Sequence, residues 1–467
     1  MSDDGHIGGH AVVIGGSIAG LLAARVLSER FGRVTVLDRD ELPQAPVTRR
    51  AVPHGGHAHA LLIRGKDQLE ELFPGLGREL VAGGAVPFDP GDDLLFHQMG
   101  ALRTRFRSGM QGISLTRACL ELAVRRRVSA LPGVEIRDRT NVRALAGTAR
   151  RVTGVELDDG TAIDADLVVN ASGRGGAGAD AWLEKLGCAT PDAEVVKIDV
   201  GYTTRIFHRA PGETLTSDGG LLHLMAAVPP HDKRAAAVFA VEGDRWMVTL
   251  GGWHRAHAPV DPAGFEDFAA ALPCRIAADV IRRAEPVDTG DARRFTYPAA
   301  RRRYFEKLRD VPHGFVALGD AICSFNPLYG QGMTVATLEA VELGRALDRV
   351  GEASPAMARR YYRAAGKIIE TPWQMATGGD FMYPETAGPK PFAADLLNAY
   401  VKRAFLASHV SVPVHRVLMN MQHLLSPPAA IMRPDILVRS LLAAGRSPAL
   451  RGEPAGREHR TGVPARR

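Results

Sequence analysis

Cysteine is scarce in this chain. Its four thiols, Cys119, Cys188, Cys274 and Cys323, lie far apart and form no C-x-x-C pair. That spacing argues against a zinc site, a dithiol redox motif and a disulfide framework, and leaves small buried hydrophobes as the plain reading. No apolar run is long enough to span a bilayer, so no integral membrane segment is expected. The first ten residues, MSDDGHIGGH, are acidic where a secretory signal would be basic and then apolar. A cytoplasmic protein is expected. Acidic surplus is also missing, since the net charge is +6. Six Arg against two Glu in residues 445–467 supply most of it, in a Gly- and Pro-rich tail with little to bury. That tail reads as disordered, and nucleic-acid binding is not expected.

What remains is an ordinary globular composition, 45% hydrophobic and 24% charged, over 467 residues, enough for two or three cores. The run Ala11–Ile14 suits a buried parallel strand. Residues Ser17 to Phe31 suit a helix ended by Gly32, and Val34–Leu37 a second strand closing on Asp38. Further helices are expected near Gly65–Leu72 and over Leu115–Val128, and strands at Val134–Ile136, Val152–Leu157 and Asp166–Ala171. From Val195 to Trp253 the segments DVGYTTRIF, AAAVFAVEG and RWMVTLGGW alternate as an antiparallel sheet does. An apolar strand returns at 314–320, and the chain past Met333 reads as helical through Ala444. The expected fold class is α/β. A Rossmann-like domain (1–190 and 296–350) is interrupted by an antiparallel-sheet substrate domain (191–295), then followed by a helical region (351–444) and the tail (445–467).

Two segments carry chemistry. Residues 15–20 read GGSIAG, with Ser17 where a dinucleotide loop ordinarily has its middle glycine. Gly15 permits the tight turn, Gly20 permits close packing of helix on strand, and Gly16 keeps the loop supple. The Ser17 hydroxyl can itself donate to a phosphate at the helix N-terminus. An acid is expected about 20 residues on to take a ribose hydroxyl, and Asp38 lies 18 beyond Gly20. Far downstream, GFVALGDAICSFNPLYGQGM delivers Asp320 on a strand end, then a turn through Pro327, Gly330, Gln331 and Gly332 that opens a helix at Met333. A carboxylate there can accept from a ribityl hydroxyl, and a helix N-terminus can stabilise charge on a reduced flavin. A cofactor held at both ends points to FAD.

These motifs, GGSIAG with VTVLDRD and then GDAICSFNPLYGQGM, resemble the FAD-dependent monooxygenases of the p-hydroxybenzoate hydroxylase type. The loop VPHGGHAH and the stretch IIETPWQMATGGDFMYPET resemble the bacterial olefin epoxidases of polyether biosynthesis. The resemblance implies that Gly15, Ser17 and Gly20 meet the pyrophosphate and Asp38, beside Arg39, the adenosine ribose. It places Arg117 by the phosphates or ribityl chain, Asp320 at the ribityl chain or pyrophosphate, and Gly332 and Met333 against the isoalloxazine. It implies oxygen transfer from O2 through a flavin C4a-hydroperoxide to a lipophilic polyketide or terpenoid, in secondary metabolism such as antibiotic biosynthesis. Alkene epoxidation is favoured because it needs no side-chain base, and none is evident. Aromatic hydroxylation, or reduction of isoprenoid double bonds, is the alternative. One departure matters. Where the family has Asp-Gly after the strand Asp166–Ala171, this chain has Ser172-Gly173. That leaves open whether NADPH or NADH reduces the flavin directly or through a separate flavin reductase.

His57 and His59 form a His-x-His, but on a Gly-rich loop with no third ligand, so loop structure or flavin contact is the expectation rather than a metal. The runs Arg125–Arg127 and Arg301–Arg303 are expected to be solvated. Apolar residues of the last helices, among them Leu396, Leu397, Val417 and Leu418, are expected to complete the core, with a lid over the substrate as the other reading.

Overall fold

The structure, a computed structural model, describes residues 6–175, 177–392 and 394–451. The first apolar run becomes the strand Gly8–Ile14, the centre of a five-stranded parallel sheet. Across the sheet the order is Phe315–Ala317, Leu167–Asn170, Gly8–Ile14, Phe31–Leu37 and Val134–Arg137. The central strand's Ala11 pairs with Leu167 on one side and Val34 on the other. All three are fully buried, as a strand covered on both faces requires.

The first helix is shorter than its apolar stripe suggests. It spans Ile18–Leu27, and Gly32 lies inside the next strand instead of ending the helix. Ser28 Oγ donates back to the Arg25 carbonyl and Arg30 N–H to that of Leu27, each at 2.9 Å, so the chain turns there. Phe31 is then free to begin the strand opposite Gly8, with its ring buried. The helices expected near residue 65 and after residue 115 are found at Ile63–Leu72 and Arg117–Ser129; Thr116 caps the second by accepting the Cys119 N–H.

A second sheet of eight strands packs over the carboxyl end of the first. Its order is Cys323–Ser324, Arg294–Arg303, Ala193–His208, Arg245–Gly252, Arg234–Val241, Leu222–Met225, Leu94–Gln98 and Ala101–Leu102. It departs from the sequence reading in two ways. Arg294–Arg303, divided by the expected boundary at 295/296, pairs along almost its whole length with Ala193–His208. Leu94–Gln98, from the first segment, joins the far edge in parallel with Leu222–Met225, so one ladder of this otherwise antiparallel sheet is parallel.

Helices Gly332–Val350 and Pro355–Asp380 cover the parallel sheet, and Ala394–Ala407, Val412–Gln422 and Pro434–Ala444 form a separate core. Val417, Leu418 and Met421 are buried there, but Leu396 and Leu397 face outward. The basic runs are solvated only in part: Arg126 is exposed and Arg127 and Arg301 are half-buried, but the other three are not. Arg302 is buried against Glu306 and Glu370, Arg303 is buried against Asp180, and Arg125 is buried and donates to the Pro43 carbonyl. The expected disordered tail is anchored at its start: Ser447 is buried and bonds to His409 at 2.7 Å, and Pro448–Leu450 form a 3-10 turn. Residues 452–467 lie outside the described residues. Among the described residues no helix is long and apolar enough to cross a membrane.

Candidate functional site

The order of the parallel sheet reverses between Gly8–Ile14 and Leu167–Asn170, and ligands of such sheets bind outside the carboxyl ends at that point. A cavity of about 680 Å³ opens there. Eleven of the thirteen residues proposed from sequence line it: Gly15, Ser17, Asp38, Arg39, Arg117, Asp320, Pro327, Gly330, Gln331, Gly332 and Met333. Gly16 and Gly20 stand behind the wall.

The strand ends at Gly15, whose φ of +107° and whose approach to the Ala171 carbonyl exclude a side chain. A Cβ on Gly20 would stand 1.7 Å from the Gly15 carbonyl oxygen. Gly20 therefore lets the helix sit on its own loop, and contacts no ligand space. Gly16 donates its N–H to Asp38 Oδ2 at 2.7 Å, tying the loop to the end of the second strand. Asp38 Oδ1 accepts the Asp40 N–H at 2.9 Å and Arg49 Nη1 at 3.0 Å. This acid is thus nearly buried and held in place from three sides.

Ser17 stands at the N-cap position of the first helix but its side chain accepts no helix N–H; its hydroxyl proton goes to Glu121 Oε2 at 2.5 Å instead of into the cavity. Arg117 Nη2 donates to the same hydroxyl at 3.0 Å, and Arg49 Nε to Glu121 Oε1 at 2.8 Å. Arg49, Glu121, Ser17 and Arg117 form one chain of bonds from the Asp38 end inward. Arg117 is half-buried and faces the cavity. Burial draws its guanidinium below the ordinary arginine value, and Glu121 and Asp320 oppose that shift.

At the other end, Phe315–Ala317 delivers Asp320 beside the N-terminus of Gly332–Val350. Burial raises the Asp320 carboxyl, while Arg117 and Arg174 hold it down. Ser172, at the family's aspartate position, bonds to its own strand: its N–H and hydroxyl both donate to Asn170 Oδ1. Arg174 lies over the Tyr297 ring, 4.1 Å from the centroid. Tyr202, Phe295 and Tyr297 of the large sheet wall this end.

The histidine loop forms part of the cavity wall through His54, Ala58, His59 and Ala60. A Cβ on Gly330 would meet Ala60 Cβ at 2.9 Å, so the loop rests on the glycine turn. His54 and His59 line the cavity, while His57 is buried behind it, sharing a bond with the Thr204 hydroxyl at 2.8 Å. His59 Nδ1 donates to the His57 carbonyl at 2.9 Å. Burial lowers His54 to about 2, His57 to about 4 and His59 to about 3, so all three are neutral at pH 7. Among the described residues no three His, Cys, Asp or Glu side chains form a metal-sized cluster.

Sequence reasoning missed Arg49, Arg174 and Glu121. Arg174 directly follows Ser172-Gly173, where a cation beside a nucleotide loop is the available signal. Arg49 had none beyond its charge.

No family model matches the chain. The fold is shared with PqsL, a probable FAD-dependent monooxygenase from Pseudomonas aeruginosa (19% identical, TM-score 0.58, covering 80% of this chain and 97% of that one). It is shared with the flavin-dependent brominase Bmp2 (14%, TM-score 0.62, 94% and 99%) and with a flavoprotein/dehydrogenase from Cytophaga hutchinsonii (15%, TM-score 0.63, 93% and 98%). In sequence the chain is 36% identical over 403 residues, 82% of each chain, to Protein Rv3254 of Mycobacterium tuberculosis. The protein belongs to the family of Rv3254 and has the fold of the FAD-binding monooxygenases.

Proposed function

We propose that the protein is an FAD-dependent monooxygenase that places one oxygen atom from O2 on a lipophilic substrate. The observation that carries this reading is the cavity itself. Five arginines (Arg39, Arg49, Arg50, Arg117 and Arg174) and two carboxylates line it, with helix N-termini at Ser17 and Gly332 at opposite ends. Such a surplus of donors suits a pyrophosphate between two polar ends. Arg49 Nη2, Arg117 Nε and Gln331 Oε1 are buried on lining residues without a partner, as a site built for a polar cofactor requires.

In this reading Asp38 and Arg39 hold the adenosine end, Gly15, Ser17 and Arg117 the pyrophosphate, and Asp320 the ribityl hydroxyls. Gly330 to Met333 seat the isoalloxazine. What bound FAD supplies is two-electron activation of O2. The chain's own part is to bind, orient and exclude water: Tyr202, Phe295 and Phe325 make the wall apolar, and the histidine loop adds to that wall.

Alkene epoxidation is the finer reading, in line with the resemblance to polyether-type epoxidases. Phenol hydroxylation profits from a base poised near neutrality. His54 and His59 are far too weak, and burial pushes the Tyr202 phenol up, beyond use as one.

The test is anaerobic reduction of the FAD-loaded protein by NADPH and by NADH, with and without a lipophilic polyene. It is followed by turnover under labelled O2, with and without an added flavin reductase. Incorporation of one labelled oxygen is expected. Bleaching by the nucleotide alone would mean direct reduction despite Ser172; turnover only with added reductase would assign reduction to a partner. Product formed without O2, or a product requiring bromide or chloride, would replace the oxygenase reading with a reductase or a halogenase.

A further inference from the structure

The helical end differs in charge from the rest of the chain. Residues 388–451 carry eight Lys and Arg against two Asp, while residues 1–387 carry 46 against 48 Asp and Glu. Both acids are taken: Asp395 pairs with Lys390 at 2.6 Å and Asp435 with Arg433 at 3.1 Å. Lys402, Arg403, Arg439, Arg446 and Arg451 are exposed, and among the described residues they make no ion pair within 4.0 Å.

The same end is apolar on its outside. Helices Ala394–Ala407 and Pro434–Ala444 pack through Ala404, Ala407, Ile436 and Ala444, with the Tyr400 hydroxyl donating to the Ile431 carbonyl at 2.6 Å. The residues they turn away from that core include Leu396 (80% exposed), Leu397, Val438, Leu441 and Leu442 (71%), with Phe392 wholly exposed just before the first helix. Leucines on a helix surface at this exposure cost solubility unless something covers them.

We infer that this helix pair docks on the surface of a bilayer rich in anionic phospholipid. Lys and Arg flanking exposed Leu and Phe on short amphipathic helices are the chemistry of interfacial binding: apolar side chains enter the headgroup boundary while cations meet lipid phosphates. A second copy of the chain is the poorer occupant, because it would set one strongly basic end against another. No described helix can span, so the molecule lies on the surface. The inference stands independently of flavin chemistry. If both hold, the enzyme works where a lipophilic substrate would partition.

The test is flotation of the full-length protein with vesicles of phosphatidylcholine alone and with added phosphatidylglycerol. Binding to the anionic vesicles only, reversed by salt, is expected. Arg439→Gln with Arg446→Gln should weaken it about fivefold per charge. Leu396→Gln with Leu442→Gln should also release the protein, with melting temperature unchanged because these side chains are exposed. No binding, equal binding to both vesicles, or indifference to both pairs would overturn it. So would a dimer in sedimentation velocity that Leu442→Gln dissociates, since that would assign the face to a second copy.

Discussion

Acid should unfold this protein at a pH where most carboxylates are still ionised. Among the described residues eight imidazoles, six buried and two on the cavity wall, are held far below the free value of 6.5 by loss of solvent. His54, His57 and His59 lie at the cavity, and His97, His223, His409, His415 and His423 elsewhere, at about 4, 4, 4, 3 and 4. As pH falls through 6.5 the unfolded chain takes up these protons and the folded one does not, so stability present at neutral pH is lost on acidification. Between about pH 7.5 and pH 5 each imidazole removes about 2 kcal/mol, or roughly 16 for eight. Buried carboxyls act oppositely: burial raises Asp320, and takes Asp380 to about 7 and Glu339 to about 8, so the folded state gains their protons first. Over the same interval Asp380 and Glu339 return about 6 kcal/mol. The net loss of about 10 kcal/mol rivals the whole stability of an ordinary protein, about 5–15. Circular dichroism and tryptophan fluorescence on acid titration should show one cooperative collapse centred at about pH 5 to 6. A native signal persisting to about pH 4 would refute the argument, because the imidazoles would then be accepting protons inside the folded protein.

Two substitutions test local geometry. Gly20→Ala puts a methyl 1.7 Å from the Gly15 carbonyl oxygen, so the first helix must move off its loop. Such overpacking costs roughly 1–3 kcal/mol; the melting temperature should fall by several degrees and FAD should be lost on gel filtration. Wild-type stability with full flavin would contradict the packing role. Asp380→Asn tests the buried carboxyl that accepts Trp253 Nε1 and Asn326 Nδ2, each at 2.8 Å. The wild-type acid contributes stability when protonated and loses it as pH rises toward 7. The variant's stability relative to wild type should therefore climb by about 1.4 kcal/mol per pH unit between about pH 5 and 7. A difference in denaturant midpoints that stays flat with pH would show that Asp380 is already ionised there.

The features legible in the sequence are those fixed within a few residues. Apolar, β-branched runs mark the strands that lead to Gly15, Asp38 and Asp320, and the φ of +107° at Gly15 demands a glycine there. Features that depend on distant partners were misread. Arg302 and Arg303 look like a solvated run until Glu370 and Asp180 are brought against them from other elements. Leu94–Gln98 carries no mark of the strand 128 residues later beside which it lies, Leu95 opposite His223. Ser17 is the most instructive case. Taken alone it is a tolerated stand-in for glycine, whose hydroxyl is free to reach a phosphate. In the structure that hydroxyl is committed, donating to Glu121 and accepting from Arg117, both on one helix 100 to 104 positions along the chain. Glycine has no atom for that bridge. The departure from the usual loop therefore gives the loop a link that holds Arg117, whose guanidinium would otherwise be buried with only its charge to position it.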